Sequence, residues 1–535
     1  MDKKNLNINQ LLDLAQKALQ QKNFDDAKNF FKKIISINKF IPEVHNNLGL
    51  VYLNLYNFKE AIECFKEAIK LKPEFSVAFC NLGIVYEKNN NFKLSEENYK
   101  KSIYFDNKNI VAYYNLGNLY KDQNDLLNAE KNYKYVIDLK PDMLHAYKNL
   151  FFIYNRSNQL QKLGEILDRA KLNLGNHSIV DFFQGVFDYE NKAFKNVIKN
   201  FKKLQIDKRE IGVIAVRDEL LAKSYDNIGE YNKSYDCFVE ANNSIYKIYK
   251  DKFNKEDYIN LVNKRIDYYS KFDLKKWNSM NTEKDEPIFL VGFPRSGTTL
   301  LDTILRTHNS IEVIEEKPII DEFINNLNIQ INNNFSNFEN LDKNFYNQMR
   351  KIYFEKRNKY IKYNQSKIYI DKLPLNFIFI GEICRFFPNA KFLFAIRNPF
   401  DVILSCFMQQ FAPNDAMMNF MNLNDASSFY DLSMSLYKKY RKLFKSNLYE
   451  IKYEDVVTDF DSSVEKLLKF LNLEWEDGVK KFYETASKRG VISTPSFNQV
   501  NKPIYTKSIN RWKNYEIRFQ DIKPKLNKWL DEFNY

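Results

Sequence analysis

Two short stretches of this chain carry residues whose types and spacing could do chemistry. In the first, the apolar run Ile288-Phe289-Leu290-Val291-Gly292 leads through Phe293-Pro294 into Arg295-Ser296-Gly297-Thr298-Thr299. A strand that ends in a Gly and Ser/Thr turn and then opens a helix suits an anion. Exposed amides at the helix start, the positive end of its dipole and three hydroxyls converge on one phosphate, and Arg295 adds a charge-assisted contact. A Walker A loop would need Gly-Lys-Ser/Thr, the Lys reaching the β and γ phosphates and the hydroxyl holding magnesium. Here Gly297 directly precedes the threonines and no Lys is present, so a terminal 5′-phosphate fits better than a magnesium triphosphate. The same residues are also compatible with a plain strand, tight turn and helix N-cap. In the second stretch, Phe392-Leu393-Phe394-Ala395-Ile396 ends in Arg397, and Asn398-Pro399 breaks the strand. Asp401 then falls in the first turn of a helix, so Arg397 and Ser405 can both face a crevice. Two strand ends, each with an Arg, imply a ligand with two separated phosphates; the plainer reading pairs Arg397 with Asp401.

The elements that must position these residues read as strands over 288–291, 368–370, 391–396 and 448–452. Helical stretches alternate with them over 299–307, 376–387, 401–411 and 426–444. That order predicts a mostly parallel sheet with helices on both faces, and ligands of such sheets sit outside the carboxyl ends of the strands. The first half is built differently. Asn47-Leu48-Gly49, Asn81-Leu82-Gly83 and Asn115-Leu116-Gly117 recur every 34 residues, in register with Tyr52, Tyr86 and Tyr120, with Ala61, Ser95 and Ala129, and with Phe65, Tyr99 and Tyr133. Small residues let two helices approach and aromatics fill the gap above them. These units resemble the tetratricopeptide repeat. A degenerate copy precedes them, Asn149-Leu150 continues the register although Phe151 replaces the Gly, and weaker copies follow around Gly185 and around Ala222, Tyr225 and Phe238. About seven units end near residue 245, and such solenoids present a concave surface to peptides or partner proteins, or serve self-association.

Composition narrows the class. At 535 residues two or three domains are expected, and 44% hydrophobic with 16% aromatic residues is globular. No uninterrupted apolar run of about 18 residues predicts a membrane span, and the polar opening Met1-Asp2-Lys3-Lys4-Asn5 is unlike a secretory leader. Five scattered cysteines without CxxC pairing, and four separated histidines, argue against a disulfide framework or a metal centre and fit a cytoplasmic protein. The net charge of +13 favours anionic ligands, but the basic residues do not cluster as a nucleic-acid surface does.

Together the two chemical stretches resemble the sulfotransferase family, over roughly residues 286–515, and most of all its protein-tyrosine sulfotransferase branch. The resemblance implies 3′-phosphoadenosine 5′-phosphosulfate as donor, with no metal. It places Arg295, Ser296, Gly297, Thr298 and Thr299 on the 5′-phosphosulfate and Arg397 with Ser405 on the 3′-phosphate. Tyr453, in Tyr453-Glu454-Asp455, falls near the nucleotide, and Arg511 stands where that branch often carries a donor-binding Lys. Glu316, second of Glu315-Glu316, matches the catalytic base; Lys372, in Asp371-Lys372-Leu373-Pro374, and Ser496 match groups on the leaving phosphate, Ser496 in a register offset by about one residue.

Expected, then, is an α-helical tetratricopeptide solenoid over 1–245, a helical linker over 246–284, and an α/β P-loop-like three-layer domain over 285–535. The expected reaction carries a sulfuryl group to an acceptor hydroxyl, a protein tyrosine first, with the acceptor protein or peptide held by the repeats and a homodimer allowed. Sulfuryl transfer, like phosphoryl transfer, relies mainly on positioning and electrostatics. A phenol near pKa 10 matches a free Glu near 4.3 poorly, so proton transfer must accompany bond formation or burial must shift Glu316. On residues alone Glu315 and Glu316 are also compatible with solvated charges before Pro318, and Lys372 with a surface lysine. His308 reads as structural. A glycan or small-molecule acceptor, a non-catalytic scaffold that senses nucleotide, and a magnesium-dependent kinase remain alternatives; the missing Walker Lys speaks against the last.

Overall fold

The computed structural model describes residues 6–157, 159–277, 286–332, 334–338, 341–484, 504 and 506–535. The chain divides into two compact units, Met1–Gln205 and Ile206–Tyr535.

The first unit is a run of antiparallel helix pairs, such as Pro42–Asn54 with Phe58–Leu71 and Ser76–Lys88 with Phe92–Phe105. The 34-residue period appears in the backbone as well as in the side chains. The turns inside five of the helix pairs each hold one residue in the left-handed region, at Lys22, Tyr56, Asn90, Asn124 and Lys192. The small-against-aromatic columns meet directly. A Cβ added at Gly49 would stand 2.6 Å from the Phe65 ring, at Gly83 2.7 Å from Tyr99, and at Gly117 2.9 Å from Tyr133. Where Phe151 replaces the glycine, the aromatic column holds Leu167 instead, and both are buried. Bulk moves from one helix to its partner, and Phe151 packs on Phe183 with ring centroids 4.8 Å apart.

The second unit is organised on five strands: β1 (Ile288–Gly292), β2 (Ile311–Glu315), β3 (Ile368–Lys372), β4 (Lys391–Ile396) and β5 (Leu448–Lys452). Their order is β2-β3-β1-β4-β5, and every pairing is parallel. Alternate residues divide between two cores. Phe289, Val291, Phe392 and Phe394 enter one, Leu290, Ile370, Leu393 and Ala395 the other, as a sheet covered on both faces requires. β2 is an addition to the four strands read from sequence. At the sheet edge Glu312 and Glu315 interrupt the buried Ile311, Val313 and Ile314, so it lacks the continuous apolar run of the central strands.

The hairpin Ile211–Asn227 and Tyr231–Tyr249 and the helix Lys255–Ser270 belong to this second unit. Residues expected to close the solenoid and to link it onward are packed on the α/β core. Arg265 meets Glu382 at 2.6 Å with both side chains buried, and Tyr269 fills the space above Gly381. Breaking such a buried pair would leave an uncompensated charge, so the contact fixes where this helix lies.

Candidate functional site

β1 sends the chain to one side of the sheet and β4 to the other, so their carboxyl ends flank the point where the topology switches. The turn after β1 is tight: the Ser296 amide donates to the Phe293 carbonyl at 3.1 Å, with Arg295 at φ +69. Gly297, at φ +100, caps the helix Thr298–Leu305, which has no side-chain cap hydrogen bond, so its first amides keep their outward donors. Gly297 also allows a close approach, because an added Cβ would lie 2.8 Å from Cδ2 of Tyr453. The Tyr453 ring in turn carries the Arg397 guanidinium, 4.7 Å from its centroid.

Arg397, largely buried, donates to the Arg295 carbonyl at 3.1 Å and to the Ser508 carbonyl at 2.6 Å, while its buried Nε has no hydrogen-bond partner. Arg295 Nε donates to Ser405 Oγ at 2.9 Å. Thus Arg295, Gly297, Arg397, Ser405 and Tyr453 form one cluster at the ends of β1 and β4, with Ser296 in the same turn and Thr298 and Thr299 opening the helix that follows it. Asp401 does not form the simple pair with Arg397. Its carboxylate accepts the backbone amides of Asn510 and Trp512 at 2.7 and 2.9 Å. Burial pushes its carboxyl above the usual range, and the nearby Arg397 charge and these amides work against that push.

A second cluster lies at the ends of β3 and β2, joined to the first through the pairing of Leu290 with Lys372. Lys372 is fully buried, not a surface lysine, and its Nζ donates to Glu316 Oε1 at 2.7 Å, with Glu315 Oε1 at 3.9 Å. Glu316 stands just beyond β2 at φ +48, its amide donating to the Lys372 carbonyl at 2.8 Å. A non-glycine residue in the left-handed region persists where its surroundings hold it, and here that hydrogen bond and the ion pair do so. Arg306 holds Glu315 at 4.0 Å and also pairs with Asp302 on the loop helix. The carboxylates are therefore built into the site and only Glu316, with 32% of its side chain exposed, remains open to a ligand.

Arg511 is not brought into either cluster; its guanidinium pairs with Asp226 at 2.7 Å. Ser496 lies outside the described residues. His308 uses both ring nitrogens locally: the Ser310 amide donates to Nδ1 at 3.1 Å, and Nε2 donates to the Glu474 carbonyl at 3.0 Å. Sequence reading gave no role to Glu454, whose carboxylate accepts the Asn398 amide at 3.0 Å and so fixes the turn after Arg397. Its place between Tyr453 and Asp455 was the available signal. Arg306 gave none, since its partners are distant or ordinary in sequence. Among the described residues no group of three or more His, Cys, Asp or Glu could hold a metal, and no helix is long and apolar enough to cross a membrane.

An uncapped helix start and two arginines at the carboxyl ends of adjacent parallel strands define an open α/β domain with an anion site, in a chain that begins with a repeat solenoid. Comparison with known proteins narrows this further: residues 287–477 match the model of the sulfotransferase family, and 42–75, 77–109 and 110–143 match tetratricopeptide repeat models. The chain thus carries a sulfotransferase-family domain behind tetratricopeptide repeats. It is 28% identical to an uncharacterized protein of Aquifex aeolicus (strain VF5), over 56% of this chain and 39% of that one. It is 24% identical to protein-tyrosine sulfotransferase 1 of Danio rerio, over 43% of this chain and 66% of the relative. The protein-tyrosine sulfotransferase of Drosophila melanogaster is also 24% identical, over 46% and 51%. The chain therefore spans between about two fifths and two thirds of these relatives. Among solved structures, MamA overlaps 31% of this chain and 91% of its own, at 21% identity and a TM-score of 0.28.

Proposed function

We propose that this protein is a sulfotransferase that moves a sulfuryl group from 3′-phosphoadenosine 5′-phosphosulfate to an acceptor hydroxyl, with a peptide tyrosine as the first acceptor to test. The single observation that carries the reading is the convergence of the Arg295–Thr299 loop, Tyr453, Ser405 and Arg397 on one end of the sheet. The unpartnered Nε of Arg397 fits a second phosphate beside the one that the loop amides suit.

In this reading the acceptor oxygen attacks sulfur in line, the sulfur–oxygen bond to the 5′-phosphate breaks, and its electron pair stays on that phosphate. Lys372 and Arg295 stabilise the charge that grows on the bridging oxygen, with Ser496 as a further donor. Glu316 takes the acceptor proton, and Lys372 keeps its carboxylate aimed. The solenoid, whose repeat pattern runs to residue 245 although its last hairpin belongs to the second compact unit, holds the acceptor protein. The five free cysteines support a reducing, cytoplasmic setting.

Calorimetric titration of 3′-phosphoadenosine 5′-phosphate without magnesium tests the reading, with ATP as competitor. Binding weakened by about tenfold or more in Arg295→Ala and Arg397→Ala is expected from loss of a charged phosphate contact. Wild-type protein that prefers magnesium ATP, or binds neither nucleotide, overturns it.

A further inference from the structure

The hairpin Ile211–Asn227 and Tyr231–Tyr249 touches the donor site's frame at two places, although its sequence reads as a repeat. Asn242 Nδ2 donates to the carbonyls of Phe407 and Met421 at 3.0 and 3.2 Å, and Tyr235 stacks on Phe407 at 5.1 Å. Phe407 ends the helix Pro399–Phe407, which carries Ser405. At the other end, Asp226 uses both carboxylate oxygens on one segment. Oδ2 accepts from Arg511 at 2.7 Å and Oδ1 from the Tyr515 hydroxyl at 2.6 Å. Tyr515 is buried, lies 3.0 Å from Ser234 Oγ on the second hairpin helix, and meets Tyr231 edge to face.

That segment also supplies the frame of Arg397. Ser508 gives its carbonyl to the guanidinium, and the amides of Asn510 and Trp512 go to Asp401, with Trp512 stacked on Phe400 at 4.4 Å. Residues 510 and 512 thus face the α/β core through their backbone, while the side chain of Arg511 between them reaches the hairpin. Two aspartates, Asp226 and Asp401, hold one segment from opposite sides.

On the donor reading above, we propose that Asp226 is a positioning residue for donor binding. It touches no reacting atom; by fixing Arg511 and Tyr515 it sets where the Ser508 carbonyl stands and so how Arg397 is aimed at the donor. Binding of an anion by a planar guanidinium depends on that aim, so a loosened segment weakens the donor and leaves the transfer step alone.

The test compares full-length wild type with Asp226→Ala, the near-isosteric Asp226→Asn, and Tyr515→Phe. Affinity for 3′-phosphoadenosine 5′-phosphate is measured at a temperature well below each variant's Tm. Loss of the charged pair should weaken binding about tenfold in Asp226→Ala and Asp226→Asn, and loss of one hydrogen bond about threefold in Tyr515→Phe. Arg511→Lys should recover most of the affinity that Arg511→Ala loses. In turnover, the donor KM should rise with kcat within about threefold of wild type. Variants whose Tm falls while affinity stays within twofold would show a merely structural contact and overturn this inference alone. A wild-type chain that does not take the nucleotide overturns the donor reading and this inference with it.

Discussion

Lys372→Met separates catalysis from stability at the β3 end. The wild-type ammonium is fully buried and 2.7 Å from Glu316. Removing one member of a fully buried pair costs about 3–5 kcal/mol. Glu316 is one-third exposed, so water can take up its charge once Lys372 is gone. Glu315 keeps Arg306 at 4.0 Å, and the Met side chain fills the lysine's volume. The stability loss should therefore be only about 1–2 kcal/mol, a shift of a few degrees in Tm for a unit of this size. Catalysis should suffer more: removing one preorganised group that stabilises developing charge costs about 10²–10³ in rate, or about 3–4 kcal/mol. Release of 3′-phosphoadenosine 5′-phosphate from the donor with a tyrosine peptide pool reads turnover, and calorimetry with the same nucleotide reads binding. We expect turnover down by about two to three orders of magnitude, with nucleotide affinity within about threefold. Turnover within about fivefold of wild type would refute the assignment of Lys372 to the leaving oxygen. So would an affinity loss as large as the rate loss, because uniform binding would then account for everything.

Other perturbations reach different links of the chain. Glu316→Gln keeps an oxygen for Lys372 but cannot take a proton, so turnover should fall about 10²–10⁴-fold with donor affinity unchanged; a smaller drop would move the base elsewhere. Gly297→Ala puts a Cβ at φ +100 and 2.8 Å from the Tyr453 ring. It should cost about 1–3 kcal/mol and weaken nucleotide binding, whereas wild-type affinity would detach Tyr453 from the site. Asp371, on the sheet face opposite Lys372, has its carboxyl pushed up to about 8 by burial and then by Asp321, with the Tyr353 hydroxyl acting the other way. The folded chain holds this proton more tightly than the unfolded chain. Its stabilising effect is complete below about pH 4 and is lost as pH rises toward 8, by up to about 1.4 kcal/mol per pH unit. Asp371→Asn should thus gain in Tm over wild type between pH 5 and pH 8.5, and a pH-independent difference would contradict the shift. Gly83→Val drives a side chain into Tyr99, 2.7 Å away, and should destabilise the repeats by about 1–3 kcal/mol or more without touching nucleotide affinity.

What could be read from sequence followed from local rules. Repeat columns announce themselves because each hairpin solves the same packing problem, so Gly49, Gly83 and Gly117 recur with their aromatic partners. The strands that lead to Arg295 and Arg397 were legible because central parallel strands are continuous apolar runs. β2 escaped because an edge strand needs burial on fewer sides, and Glu315 and Glu316 at its end look like surface charge until Arg306 and Lys372 are seen against them. The place of Arg511 was also hidden: the resemblance puts it on the donor, but its side chain pairs with an aspartate 285 residues earlier in the chain. The hairpin around Asp226 shares the repeats' pattern because both are antiparallel helix pairs. Which surface its outer face covers depends on residues far away in sequence.

That hairpin has a practical consequence for anyone who dissects the protein. A fragment cut where the α/β pattern begins, at residue 285, would lose Asp226, Tyr235 and Asn242, along with the partner of the buried Glu382. It would expose Phe407 and Tyr515 to water and leave a buried carboxylate without its guanidinium. Such a fragment should aggregate or lose activity for reasons unrelated to its catalytic residues. The compact unit that begins at Ile206 keeps all of these contacts, so on the proposed reading a fragment for assay should start there and carry a hairpin whose sequence pattern belongs with the repeats.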